Sequence, residues 1–199
     1  MLTFAFLLLL VSFRSLVIAG KAIVLNLLSV GAAYGVLVAV FQYGWGESIL
    51  NFNSNGGIAF WLPIFMFVIL FGLSMDYHVF ILSRVREAYD RGMKSEEAVA
   101  HGIKTTAGVV TSAAVVMVGV FSIFATLPIL DMKEMGIGLA AAVLIDATIV
   151  RAVLLPATMK LLGDWNWYLP KWLDWLPRLE HESRSETVVA EPALERLAA

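Results

Sequence analysis

The chain has 199 residues, of which 60% are hydrophobic and only 15% are charged, and its mean hydropathy is +0.83. A soluble domain carries about a quarter charged residues, so this composition excludes an ordinary soluble protein and predicts an integral membrane protein. The net charge of −2 indicates little by itself, and the lack of cysteine excludes disulfides and thiolate metal sites. We predict no cofactor, no metal and no nucleic-acid partner.

Five apolar segments have, or nearly have, the roughly 20 residues that a helix needs to cross the hydrocarbon of a membrane. They predict an all-α bundle over residues 1–163, with spans at about 2–19, 22–43, 58–82, 105–130 and 136–162. The first apolar run is short. Because no basic residues precede it and no convincing cleavage site follows it, we interpret it as a span and not as a signal peptide.

The segments outside the predicted spans are polar or aromatic. Residues 85–103 have mixed charges and enough apolar positions for an amphipathic helix on the cytoplasmic surface, with Ser95 as its predicted N-cap. Residues 164–177 alternate tryptophan with proline and lysine, which is typical of an interfacial aromatic belt; a ligand platform is the less favoured alternative. The charged tail, 178–199, is predicted to be mobile or weakly helical.

The distribution of lysine and arginine predicts the orientation. Twelve of these residues fall between spans one and two, between spans three and four, or after span five, whereas the other two connections hold only Lys133. By the positive-inside rule the basic side is cytoplasmic, which places the N-terminus outside and the C-terminus inside a bacterial plasma membrane. An odd number of spans with a short first helix is typical of the C-terminal piece of a longer transporter-like chain.

Three ionisable residues lie inside the predicted spans: Asp76, Asp146 and Arg151. Such residues cost about 2.5–3.5 kcal/mol at the membrane centre and usually face the interior of a bundle, so each is a functional candidate. Asp146 and Arg151 are five residues apart, about 140° around an α-helix, and are therefore predicted to pair poorly with each other. Purely structural roles remain open for both, as an acid that pins two helices and as a buried counter-ion.

Asp76 is the strongest candidate for a proton carrier. A carboxyl group holds its proton more tightly in an apolar environment and less tightly near a cation or hydroxyl, so its protonation can follow a change of conformation. Tyr77 supplies a neighbouring hydroxyl. Counted from the basic boundaries at about 1.5 Å per residue, Asp76, the Thr111/Ser112 pair and Arg151 lie at similar depth and could form one polar layer. His78 points about 200° away from Asp76 and is a weaker relay candidate.

Small residues in the spans predict close helix packing. Gly31 and Gly35 form a GxxxG motif, Gly138 belongs to the GIGLAAA run of the fifth span, and Gly72 would let a neighbouring helix approach the Asp76 face.

The combination of GLSMDYHVFILSRVREAYDRG, LIDATIVR and DWNWYLP resembles the C-terminal transmembrane half of MMPL-type transporters of the RND superfamily. The resemblance implies a twelve-span duplicated bundle that uses the proton-motive force to export lipids or other hydrophobic molecules. It matches the five spans here to spans eight to twelve, and Asp76 and Tyr77 to the Asp-Tyr pair that forms half of the proton relay. Thr111, Ser112, Asp146 and Arg151 are possible neighbours of that relay.

By the same comparison the other half of the relay, and with it the first seven spans, lies outside this sequence. The implied partners are protons, membrane lipids, a hydrophobic substrate, and the N-terminal half or a homologous subunit. His78 stands where the family pattern leads us to expect an acidic residue. A non-transporting accessory or scaffold subunit is the alternative function. An intramembrane aspartyl protease is a remote one, because Asp76 and Asp146 differ in depth by roughly 9 Å.

Overall fold

The computed structural model describes residues 1–50, 52–54, 56–170, 173 and 175, and all regular structure among them is helical. The predicted tail, 178–199, lies outside the described residues. The helices are α1 (Leu2–Phe13), α2 (Leu16–Leu37), α3 (Glu47–Leu50), α4 (Leu62–Asp90), α5 (Ser95–Ala125), α6 (Leu130–Ile145) and α7 (Leu155–Leu162). A π-helix, Val38–Gln42, extends α2; a second one, Asp146–Leu154, joins α6 to α7; and a 3-10 turn, Gly163–Trp167, follows α7.

Four continuous helical stretches are long and apolar enough to cross a membrane: Leu16–Gln42, Leu62–Asp90, Ser95–Ala125 and Leu130–Trp167. These confirm the all-α membrane architecture and four of the five predicted spans in length and composition. The first predicted span is instead a 12-residue apolar helix. At 1.5 Å per residue α1 is about 18 Å long, against a hydrocarbon thickness of about 30 Å.

The boundary between the first two helices lies earlier than predicted. The backbone of Arg14 turns left-handed, with φ of 47°, and Ser15 caps α2 by accepting a hydrogen bond from the Ile18 amide at 3.1 Å. The predicted boundary near residues 19–22 is therefore wrong, because the capping serine outweighs the continuous apolar pattern. Lys21 consequently lies within the second turn of α2.

The predicted amphipathic helix over 85–103 is also wrong, because α4 continues to Asp90 and α5 begins at Ser95. Gly92, with φ of 91°, ends α4 in a Schellman motif. Its amide donates to the Tyr89 carbonyl at 2.9 Å, and the Met93 amide donates to the Ala88 carbonyl at 3.3 Å. The N-cap of α5 is Lys94, one residue before the predicted Ser95. We call the end of the bundle that holds this turn and the α1–α2 junction the basic end.

The helices bury two apolar clusters, one toward the basic end and one toward the opposite end. The first draws mainly on α1, α2, α4 and α5, and the second on α2, α4 and α6. The apolar part of α5 is much less covered than the other long helices: 11% of its residues are buried, against 33–39% in the others. Most of α5 therefore faces outward within this chain.

Candidate functional site

Asp146 and Arg151 form a buried ion pair, which corrects the prediction that they pair poorly. The Arg151 Nε atom donates to Asp146 Oδ2 at 2.7 Å, and Nη2 lies 2.6 Å from the same oxygen. The prediction assumed an α-helix, but both residues lie in the π-helix Asp146–Leu154. Because a π-helix is closed by i→i+5 hydrogen bonds, it brings residues five apart onto one face.

Ser74 of α4 joins this ion pair from the neighbouring helix. Its hydroxyl donates to Asp146 Oδ1 at 3.1 Å, while Arg151 Nη2 donates to the Ser74 carbonyl at 2.7 Å and to the Ser74 hydroxyl oxygen at 3.1 Å. The exposed fractions are 4% for Ser74, 8% for Asp146 and 3% for Arg151. The three residues, here called the polar cluster, therefore fasten α4 to the π-helical segment inside the bundle.

Tyr77 contacts the polar cluster through its ring. The guanidinium carbon of Arg151 lies 4.8 Å from the centre of the Tyr77 ring, within the range of a cation–π interaction. Among the described residues the Tyr77 hydroxyl has no hydrogen-bond partner, so it is available to a group outside this part of the chain.

Asp76 lies on the opposite side of α4, where its side chain is exposed. Within the described chain it forms no side-chain hydrogen bond and no ion pair. Thr111 and Ser112 are also exposed, and the Ser112 hydroxyl donates to the Val109 carbonyl of its own helix at 3.0 Å. The predicted polar layer is therefore present only in part, because the side chain of Arg151 turns inward whereas that of Asp76 turns outward.

The inward and outward positions also bear on the protease alternative. Asp146 is buried and held by Arg151 and Ser74, while Asp76 is exposed on another face. Two carboxylates that act on one water must converge, and these two have different surroundings.

The polar cluster borders a small cleft between α2, α4, α5 and the π-helical segment, with a cavity volume of about 20 Å³. A cavity needs about 10–15 Å³ to hold a water molecule, so the cleft has room for one. Its polar lining includes Asn26 and Ser29 of α2, which the sequence reasoning missed. Asn26 is fully buried and donates weakly to the Phe71 carbonyl, at 3.5 Å. The sequence did contain a signal for this residue, because Asn26 is an uncharged amide within a largely apolar span.

Of the four glycines predicted to pack, Gly138 alone does so against the described residues. A methyl group at Gly138 would lie 2.8 Å from the Met66 sulfur, whereas Gly31, Gly35 and Gly72 have no atom within 4 Å of such a group. The GxxxG motif and Gly72 thus line outward surfaces. Gly72 is one helical turn from Asp76 on the same face of α4.

A second set of contacts closes the basic end, centred on the fully buried Asn166. Its carbonyl accepts from the Ser15 hydroxyl, and its Oδ1 accepts from Lys21 Nζ at 3.0 Å. Its Nδ2 donates to the carbonyls of Met159, at 2.7 Å, and Gly163, at 2.6 Å. These contacts hold the predicted aromatic segment against α2 and α7.

The neighbouring aromatic residues divide into two groups. Trp167 stacks on Tyr89, with ring centres 4.6 Å apart, and the Arg86 guanidinium carbon lies 4.8 Å from the Trp167 ring. Trp165 and Trp175, in contrast, are 72% and 77% exposed. Trp167 is therefore a packing residue, while the exposed tryptophans remain free to lie at a membrane interface.

Comparison with known proteins identifies a single family for most of the chain. The model of the MMPL family matches residues 1–186. The chain is 45% identical over 179 residues to the mycolic acid-containing lipids exporter MmpL11 of Mycolicibacterium smegmatis, covering 89% of this chain and 19% of that protein. It is 46% identical over 169 residues to the heme uptake protein MmpL11 of Mycobacterium tuberculosis, covering 85% of this chain and 17% of that protein.

A third relative is the trehalose monomycolate exporter MmpL3 of Mycolicibacterium smegmatis, 39% identical over 162 residues, which cover 81% of this chain and 16% of that protein. The chain thus spans less than a fifth of the length of these relatives.

Proposed function

Because the chain belongs to the MMPL family, we propose that it forms the C-terminal membrane portion of an exporter of lipids or other hydrophobic molecules driven by the proton-motive force. Asp76 and Tyr77 are its half of the proton relay. The observation that carries this proposal is the outward position of Asp76 on a long apolar helix. The exporter assignment extends to this chain the function for which two relatives are named.

An outward carboxyl group in a membrane span favours a partner surface that shields it from lipid. Ionisable residues at membrane depth face a bundle interior or a water-filled cavity, because contact with lipid is costly. Asp76 lies eight residues before Arg84, about 12 Å inside the basic boundary of α4. We therefore place the N-terminal half, or a homologous subunit, against the α4 face that bears Gly72 and Asp76. The exposed residues Thr111 and Ser112 of α5 are available to the same partner.

Tyr77 connects this outer face to the polar cluster inside the bundle. Asp76 is its neighbour in sequence, and Arg151 lies over its ring at 4.8 Å. A change of charge at Asp76 alters the field at Tyr77 and Arg151, whose hydrogen bonds to Ser74 hold α4 to the π-helical segment. Proton binding at the outer face is thereby coupled to the relative position of two helices, as energy conversion requires.

The substrate class rests on the relatives. Two of their names state lipid export and one states heme uptake. Because two of the three names state export of a mycolic acid-containing molecule, we propose a lipid for this protein. The basic end is cytoplasmic in this proposal, in keeping with the positive-inside rule.

The test is export by the full-length transporter in proteoliposomes with Asp76→Asn. This substitution keeps the size of the side chain and removes its titration, so export driven by a proton gradient is expected to fall to background. Asp90→Asn is the matched control, because Asp90 ends the same helix in an exposed ion pair with Arg86. Undiminished export by the Asp76 variant would refute the relay.

A further inference from the structure

His78 is a fully buried titratable residue of α4 to which the proposed relay gives no role. It is on the inward face of α4, and its ring lies near the Ser74 backbone, but neither ring nitrogen makes a hydrogen bond of normal geometry among the described residues. Nearly all buried polar groups in proteins are paired, because an unpaired one costs about 1–3 kcal/mol. A buried imidazole with no well-formed hydrogen bond is therefore poorly explained as a packing residue.

The position of His78 relates it to the polar cluster. Ser74, which binds both Asp146 and Arg151, precedes His78 by four residues and so lies one turn away on the same face. Asp146 and Arg151 are the charged groups of the π-helical segment whose fields act on the imidazole. From the cluster, His78 is one turn closer to the basic end.

Lys21 of α2 is the remaining charged group that acts on His78. Lys21 follows the cap of α2 at Ser15 by six residues, and His78 precedes Arg84 by six, so both lie about 9 Å from the basic boundary. Lys21 Nζ donates to Asn166, which belongs to the contacts that close the basic end. His78 thus lies between the polar cluster and a polar contact that leads to the basic surface.

We propose that His78 is a proton carrier on the inner side of α4, transferring protons between the polar cluster and the basic end. The neutral imidazole accepts a proton at its free nitrogen and releases the proton of its other nitrogen on the opposite side. One proton passes for each such exchange, and the ring then returns to its first tautomer. The role rests on the proposed function, because it extends the route of protons that enter through Asp76.

The experiment measures proton influx into proteoliposomes that contain the full-length transporter. His78→Gln keeps hydrogen-bonding groups but cannot accept a proton, and is expected to lower influx and export together by about 10-fold or more. His78→Asp restores a titratable group and is expected to recover part of the influx. His101→Gln is the matched control, since His101 is exposed on α5.

The outcomes separate the two proposals. Wild-type influx with His78→Gln, alongside lost influx with Asp76→Asn, would overturn the role of His78 and leave the relay standing. Wild-type influx with Asp76→Asn would overturn the relay itself. If His78→Gln and His78→Asp both lower the unfolding midpoint and neither recovers influx, His78 is a structural residue and the proposal fails.

Discussion

Removal of the Asp146 carboxylate is expected to destabilise the bundle more than removal of the whole ion pair. In Asp146→Ala, Arg151 loses the oxygen that lies 2.6 Å from Nη2 and 2.7 Å from Nε, and Ser74 loses its acceptor at 3.1 Å. Arg151 is 3% exposed and cannot reach bulk water without leaving its packing. Breaking a buried pair on one side costs about 3–5 kcal/mol, so we expect a loss of that order.

The double variant Asp146→Leu/Arg151→Met tests the cause. It removes both charges and fills the space with apolar groups, which is often neutral or stabilising, so it should be more stable than Asp146→Ala. Asp90→Ala is the control, because its exposed helical pair with Arg86 is worth about 0.3–0.5 kcal/mol. Equilibrium unfolding of the chain in mixed micelles measures all three. A loss below about 1 kcal/mol for Asp146→Ala would show that Arg151 does not depend on this ion pair for its burial.

Two further predictions concern packing and the basic end. Gly136→Ala should lower the free energy of unfolding by about 1–3 kcal/mol, because its methyl group would lie 2.7 Å from the backbone atoms Ala125 N and Phe121 O. Gly119→Ala is the control, because a methyl group there has no atom within 4 Å and should leave the free energy of unfolding unchanged. Equal effects of the two substitutions would contradict the close packing at Gly136. Asn166→Ala should cost about 1–3 kcal/mol by removing the acceptor of Lys21 and two donated hydrogen bonds. Exposed Asn53→Ala is its control, and thermal unfolding in detergent distinguishes them; no difference would show that the Asn166 contacts contribute nothing.

Composition and segment length were sufficient to predict an all-α membrane protein. In lipid every backbone N–H and C=O group needs a hydrogen bond within the protein, and few structures other than helices provide it. They did not predict where helices end. Ser15 and Gly92 set two boundaries through local backbone hydrogen bonds, which a window of average hydropathy does not register.

The residues of the candidate site were easier to predict from the sequence than their arrangement. Depth along a helix follows from residue counting, and Asp146 and Arg151 were both identified as candidates. The angle around the helix depends on its type, and the π-helix reversed the expectation for that pair. The direction of Gly31, Gly35 and Asp76 depends on which neighbours are present, and within this chain all three face outward.

Whether Asp76 carries the proton can be measured as proton influx. The full-length transporter in liposomes, with an internal pH-sensitive dye and an imposed proton gradient, should acidify the interior when substrate is supplied. Asp76→Asn is expected to abolish this influx, while Asp90→Asn retains it. Equal influx in the two variants would show that Asp76 does not carry the proton.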